Sequence, residues 1–360
     1  MIALLVIAIL VFLIVVHELG HFIAAKIFGV KVTEFGVGYP PRAFLFGKIG
    51  DTEYSLNWIP FGGFVRLFGD DGDKQHGVGS FVDSPRWKQA VILVAGVTMN
   101  ALAAWLLFSS AYAVGILHPV DSPSPTSRLI VSDLVVGSPA DVAGIQVGDD
   151  IVALTDDKGA SPAPLTPETV LDFVSARAGA ALSITYKHLD ATTTAIVHPA
   201  HAVVASEAGR PAIGVGLVLV TTESLPWKQA FIEGYYQSLG TLEVSIAGLW
   251  NIIKTAAHGA PDLQHVTGPV GLVSYVAEAS RSGLGYVLSL AGFISINLAV
   301  INLIPIPALD GGRLLIVGIE ALMRRNAPRL ALQLLNTLGV ALIIMLMVTV
   351  TYHDIIRLVT

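Results

Sequence analysis

The sequence predicts a membrane protein, mainly α, with four transmembrane helices, a cytoplasmic-side β-loop and one extracytoplasmic α/β domain. Three observations carry that prediction. Of 360 residues, 53% are hydrophobic and 13% charged, and the mean hydropathy is +0.69, outside the balance of a water-soluble globular domain. Four apolar stretches, at about 2–27, 89–116, 284–304 and 334–352, are each long enough to cross about 30 Å of hydrocarbon. Between the second and third lies a long segment with turn and strand signals. A net charge of −6 gives no footprint for nucleic acid, and zero cysteines exclude disulfides, thiolate chemistry and cysteine-ligated metal.

The first stretch lacks a basic n-region, and its apolar run is about twice the usual length of a signal-peptide core, so it reads as a retained helix. Within it, VVHELGHFIA at 15–24 places His17, Glu18 and His21 where polar groups are costly. Histidines four apart project from one helix face, and Glu18 reaches the same point in space. This is the HExxH arrangement: neutral imidazoles suit zinc, the glutamate takes a proton from metal-bound water, and a third protein ligand must come from elsewhere. The bland alternative is a paired polar cluster or a proton path. It is disfavoured because three unpaired polar groups in a bilayer cost several kcal/mol.

The segment 31–70 carries two short strand-like runs, 52–56 and 64–68, around Pro60, Gly62 and Gly63, which predicts a hairpin-like sheet. Its edge offers backbone hydrogen bonds to an extended peptide, although a plain loop sheet packed under the helices fits the sequence equally well. HPVDSPSPTS at 118–127 reads as an exposed connector. GSPADVAGIQVGDDIVAL at 137–154 gives a short helix from Pro139 to Ala143, turns at Gly144 and Gly148 and a strand over 151–154. A helix over 168–179 and a strand over 181–188 follow. The stretch 225–253 is amphipathic, with Trp227, Tyr235, Tyr236 and Trp250, and predicts one or two helices on the outer leaflet or against the bundle. His118, His258 and His265 read as surface histidines rather than ligands.

At the end of the third span, NLIPIPALDGG at 302–312 contains Pro305 and Pro307, which cannot continue a helix and predict extended backbone at membrane depth. Asp310 follows, and Gly311 and Gly312 predict a tight turn into a helix around 313–325. Asp310 is either a helix cap or the missing ligand, and its pairing with the histidine motif favours the ligand.

Basic residues set the orientation. Eight lie between the first two spans (Lys26, Lys31, Arg42, Lys48, Arg66, Lys74, Arg86, Lys88), and four lie in the short loop between the last two (Arg313, Arg324, Arg325, Arg329). The stretch 118–224 sets five basic against twelve acidic residues. The short loops therefore face the cytoplasm, while both termini and the central region lie outside. His17, about 22 Å along the helix from Ile2, then sits below the midplane on the cytoplasmic side.

HELGH, TEYSLNWIPFGGFVRL at 52–67, the Gly96-to-Asn100 element and NLIPIPALDGG together resemble the site-2 protease family of intramembrane zinc metalloproteases, in its bacterial PDZ-bearing branch. That branch includes the protease acting on anti-sigma factors in envelope stress signalling. The resemblance implies that His17, His21 and Asp310 bind Zn2+ and that Glu18 is the general base. It also implies substrate-binding roles for Asn302, Asn100, Pro305, Pro307, Gly62 and Gly63, a membrane-associated β-loop and one PDZ domain. The second-span element departs from the family pattern in reading GVTMN, with Val97 where many members have proline.

The expected organisation is residues 1–117 for the first two spans with the β-loop, 118–127 a linker, 128–222 the PDZ domain, 223–282 interfacial helices and 283–360 the last two spans. The expected function is cleavage in or near the transmembrane segment of single-span proteins in a bacterial inner membrane. The PDZ domain would take a peptide or substrate ectodomain, or act as a size filter. An inactive PDZ-bearing scaffold would have no reason to retain all four of His17, Glu18, His21 and Asp310, and a metal transporter would show inverted hydrophobic repeats, which this chain lacks.

Overall fold

The computed structural model describes residues 2–70, 77–188, 191–201, 203, 209–258, 268–325 and 327–359. The chain divides into two compact units, one formed by Met1–Val114 with Leu225–Thr360 and the other by Gly115–Ser224.

In the first unit, α1 (Ile2–Ile27) is apolar along almost its whole length. It ends at Gly29, whose φ of +74° suits glycine, with Val30 N–H returning to the Ala25 carbonyl. β1 (Val32–Ile49) and β2 (Thr52–Leu67) then pair antiparallel. Their turn falls at Gly50 and Asp51, which corrects the expected hairpin around Pro60 to Gly63. Residues 34–37 lie between 53–56 and 63–66 and pair with both. The two strand-like runs of the sequence therefore flank a third strand instead of pairing with each other. Buried Glu34 ties this sheet together, accepting from Ser55 Oγ (2.7 Å), Arg42 (2.8 Å) and Arg66 (2.9 Å).

α2 (Arg86–Val114) begins and ends slightly before the expected 89–116. It packs on α1 at Gly20, where any side chain would meet the Ala95 carbonyl.

The second unit is a six-stranded antiparallel sheet of order β3-β8-β4-β5-β6-β7. Its elements are β3 (His118–Pro119), β4 (Arg128–Leu134), α3 (Pro139–Val142), β5 (Asp150–Asp156), α4 (Pro167–Ser175), β6 (Leu182–His188), β7 (Ala191–Val197) and β8 (Val215–Thr221). Leu129, Val131, Ile145, Leu154, Leu182 and Ile184 form its core. Ser138 caps α3, and Thr166 with Thr169 forms a capping box on α4. The start of the expected linker is instead an edge strand: His118 and Pro119 pair with Thr221 and Val220. His118 is buried with Nδ1 on the Ile116 carbonyl at 2.9 Å, which corrects its reading as a surface histidine. His258 is exposed, as expected, and His265 lies outside the described residues.

The chain re-enters the first unit where Leu225 N–H meets the Tyr112 carbonyl (3.0 Å). α5 (Trp227–Ala257) packs on α2, with Trp105 Nε1 donating to the Phe231 carbonyl (2.8 Å) and Gly234 giving Ser109 room. The amphipathic segment thus lies against the bundle. α6 (Pro269–Ser282) packs beneath α1, and α7 (Leu284–Asn302) forms the third span. α8 (Asp310–Met323) is pinned by Glu320 to Arg86 (3.0 Å) and by Arg313 to Asp70. α9 (Arg329–Val359) is longer than the expected 334–352 and exposes Leu334, Leu338, Ile344 and Leu346, as a lipid-facing helix does. Asp354 near its end accepts from Gly268 and Gly271 N–H at the start of α6.

Among the described residues, four helices are long and apolar enough to cross a membrane: Ile2–Ile27, Arg86–Val114, Leu284–Asn302 and a window of α9, Leu332–Ile356.

Candidate metal centre

His17 and His21 are buried on the face of α1 turned toward α2 and α8, and Asp310 opens α8. Their ligand atoms converge. His17 Nε2 lies 3.1 Å from His21 Nε2, and Asp310 Oδ2 lies 2.9 Å from the first and 3.1 Å from the second. The three atoms, each within 3.1 Å of the other two, are close enough to share one ion. Donors on a tetrahedral zinc at about 2.0–2.1 Å stand about 3.3 Å apart, so this spacing and the His, His, carboxylate chemistry fit that ion. Leu309 is the N-cap residue of α8 and no side chain caps the helix, which removes the capping role considered for Asp310.

The backbone around the site is built for close approach. After Asn302 the Pro305–Pro307 run is coiled, with Ile306 N–H on the Ile304 carbonyl (2.7 Å) and Leu309 N–H on the Ile306 carbonyl (3.1 Å); this replaces the expected extended backbone. Gly311 and Gly312 are already helical, so the expected turn is not their role. A side chain on either would strike the carbonyls of 303–306, and glycine lets α8 start against that coil. Ala308 holds a φ of +80°, unusual for a residue with Cβ.

Glu18 is half-buried next to the ligands, and the Val65 backbone N–H faces its carboxylate. A Cβ on Gly63 would lie 3.4 Å from Glu18 Cγ, and one on Gly62 (φ +121°) would enter the Tyr39 ring. The edge of the β-loop therefore runs alongside Glu18. Asn302 is half-buried at the end of α7, Pro305 is exposed and Pro307 is half-buried under Gly339 of α9. Asn100 is fully buried on α2.

Two contributors were not assigned from sequence. Ile92 offers its carbonyl to His21 Nδ1 at 2.8 Å, fixing that imidazole. Gly96 clears the space for both rings, because a Cβ there would collide with His21 Nε2 and lie 2.8 Å from His17 Cε1. In the sequence Gly96 stands out as part of the Gly96-to-Asn100 element, a glycine inside an apolar helix four residues before a polar one, without a role of its own.

A helical membrane bundle holding two histidines, a carboxylate and an adjacent glutamate defines a metallopeptidase of the membrane-embedded class. The match to known proteins is specific. The model for peptidase family M50 covers residues 5–346, and the chain belongs to that family, the site-2 proteases. A Clostridium perfringens protein provisionally named a zinc metalloprotease is 32% identical over 348 residues, covering 96% of this chain and 95% of the relative. Zinc metalloprotease RasP of Geobacillus kaustophilus is 26% identical over 419 residues, covering 94% of each. Among solved structures, the PDZ domain of an SdrC-like protein from Listeria monocytogenes is similar to 27% of this chain and 93% of that domain, at 20% identity and a TM-score of 0.21.

Proposed function

We propose that the protein hydrolyses a peptide bond in or near the transmembrane segment of single-span membrane proteins, anti-sigma factors being one such class, from the cytoplasmic side of a bacterial inner membrane. The observation that carries this reading is the convergence of His17, His21 and Asp310 beside Glu18 within a bundle of apolar helices. Zinc bound there supplies polarisation of the scissile carbonyl and a lowered pKa for the attacking water. Glu18 takes the proton of that water and hands it to the leaving amine. A peptide bond inside a helix is shielded, so the substrate must unwind. The β-loop edge at Gly62 and Gly63 runs next to Glu18 and offers backbone groups for strand addition. Asn302, Pro305 and Pro307, at the end of α7 and in the coil that leads to Asp310, complete the proposed substrate-binding group. The second unit, read as a PDZ domain, captures a peptide or ectodomain of the substrate.

The test uses the purified full-length chain, with bound zinc measured beside cleavage of a single-span substrate. The parent is expected to cleave, and Glu18→Gln is expected to keep its zinc while losing about 100-fold or more of the rate. A parent that holds zinc yet cleaves no such substrate overturns the reading.

A further inference from the structure

Asn100 is fully buried, and neither its amide oxygen nor its amide nitrogen has a hydrogen-bond partner. Buried polar groups without partners are uncommon and call for an explanation. A second such atom is His17 Nδ1, also buried and without a partner. The two metal-binding imidazoles are thus unequal: His21 gives its Nδ1 to the Ile92 carbonyl at 2.8 Å, whereas His17 has no equivalent acceptor. A ligating imidazole is normally oriented, and its tautomer fixed, by the hydrogen bond of its other nitrogen.

The His17 ring packs on α2 at Gly96, where a Cβ would stand 2.8 Å from His17 Cε1, the ring carbon between Nδ1 and Nε2. Asn100 is one helical turn further along the same face of α2. Its backbone carbonyl is engaged by Ser295 Oγ at 2.7 Å, which ties α2 to α7 at this level and does not use the amide.

We infer that Asn100 is the positioning residue for His17: the two buried groups, each without a partner in this structure, pair when the ion is bound, the amide oxygen accepting the Nδ1 proton so that the Nε2 lone pair stays on the ion. The inference rests on the metallopeptidase reading and gives Asn100, whose side chain has no exposed surface, a role beside the imidazole instead of the substrate-binding role expected of it. A neutral amide does this without adding charge to a site that already contains Asp310.

The test measures zinc affinity by chelator competition on the full-length protein, with the absorption spectrum of the cobalt(II)-loaded form as a second readout. Asn100→Leu and the smaller Asn100→Ala are expected to weaken zinc binding about 10- to 100-fold and to shift the cobalt spectrum. Asn100→Asp, which keeps an acceptor, is expected to stay within about threefold of the parent. Ser295→Ala, which removes the hydrogen bond to the Asn100 backbone carbonyl and leaves the amide in place, is expected to leave both readouts unchanged. Parental affinity in Asn100→Leu and Asn100→Ala overturns the inference, as does an equal loss in Asn100→Asp. A parent that binds no zinc removes the metallopeptidase reading itself, a result distinct from either.

Discussion

At Gly96 two energies of opposite sign compete, and their difference separates fold from site. Glycine inside a helix costs about 1 kcal/mol relative to alanine, so Gly96→Ala should favour α2 as a helix. The added methyl would nonetheless stand 2.6 Å from His21 Cε1 and 2.8 Å from His17 Cε1, closer than carbon atoms pack. The atoms it would strike all belong to the two imidazoles, so the rings are displaced. Gly96→Ala is therefore expected to keep or raise the thermal midpoint of the metal-free protein while lowering zinc affinity at least about tenfold; equal affinity in the two proteins would show that the rings have room to spare. Of the residues to which the proposed function gives the chemistry, His17, Glu18 and His21 are legible in the sequence because polar groups at helical spacing inside lipid are costly and so conspicuous, and Asp310 because it follows two prolines at the end of an apolar span. Gly96 and the Ile92 carbonyl are not legible in that way. One acts by having no side chain and the other through its backbone, and neither leaves a chemical signature in the residue type.

The β-loop shows the same limit at the level of elements. Its strand-forming runs are apparent, but their pairing is not, because residues 34–37 insert between 53–56 and 63–66 through contacts far apart in sequence. What fixes that register is Glu34. Burial by itself would raise its pKa; the Ser55 hydroxyl and the Arg42 and Arg66 guanidiniums outweigh that and hold the carboxyl below its ordinary 4.5. A folded pKa below the unfolded one means that the stabilisation is complete above about pH 4.5 and fades as the pH falls through the folded value. Both arginines are close to half exposed, so water screens the ion pairs and their contribution is modest. Glu34→Gln is expected to lower the thermal midpoint at pH 7, and the gap to the parent is expected to narrow from pH 5 downward. A gap that is constant with pH would assign Glu34 a packing role only. The coil after Asn302 belongs to this scale too. Two prolines announce the end of α7, but only the packing of Gly311 and Gly312 against the carbonyls of 303–306 shows that α8 begins at Asp310 itself.

For the molecule as a whole, the decisive property is orientation, because Glu18 and its partners act on whichever side water and substrate reach them. The four spans are legible in composition alone, to within a few residues at most of their ends, since each is a long apolar run. Their direction follows from twelve basic residues gathered in the two short connections, against five basic and twelve acidic residues in the 118–224 stretch. On that asymmetry the proposed orientation has the β-loop on the cytoplasmic side and residues 118–224 on the outer side. The chain offers a clean way to check it, because it has no cysteine and one introduced thiol is therefore the only thiol. Thr193 lies exposed on β7, and Asp51 lies exposed at the β1–β2 turn. In intact cells a membrane-impermeant maleimide is expected to label Thr193→Cys and to leave Asp51→Cys untouched, with Asp51→Cys labelled once the membrane is opened. Labelling of Asp51→Cys in intact cells would reverse the orientation and move the metal centre to the outer side, where a different set of substrates would meet it.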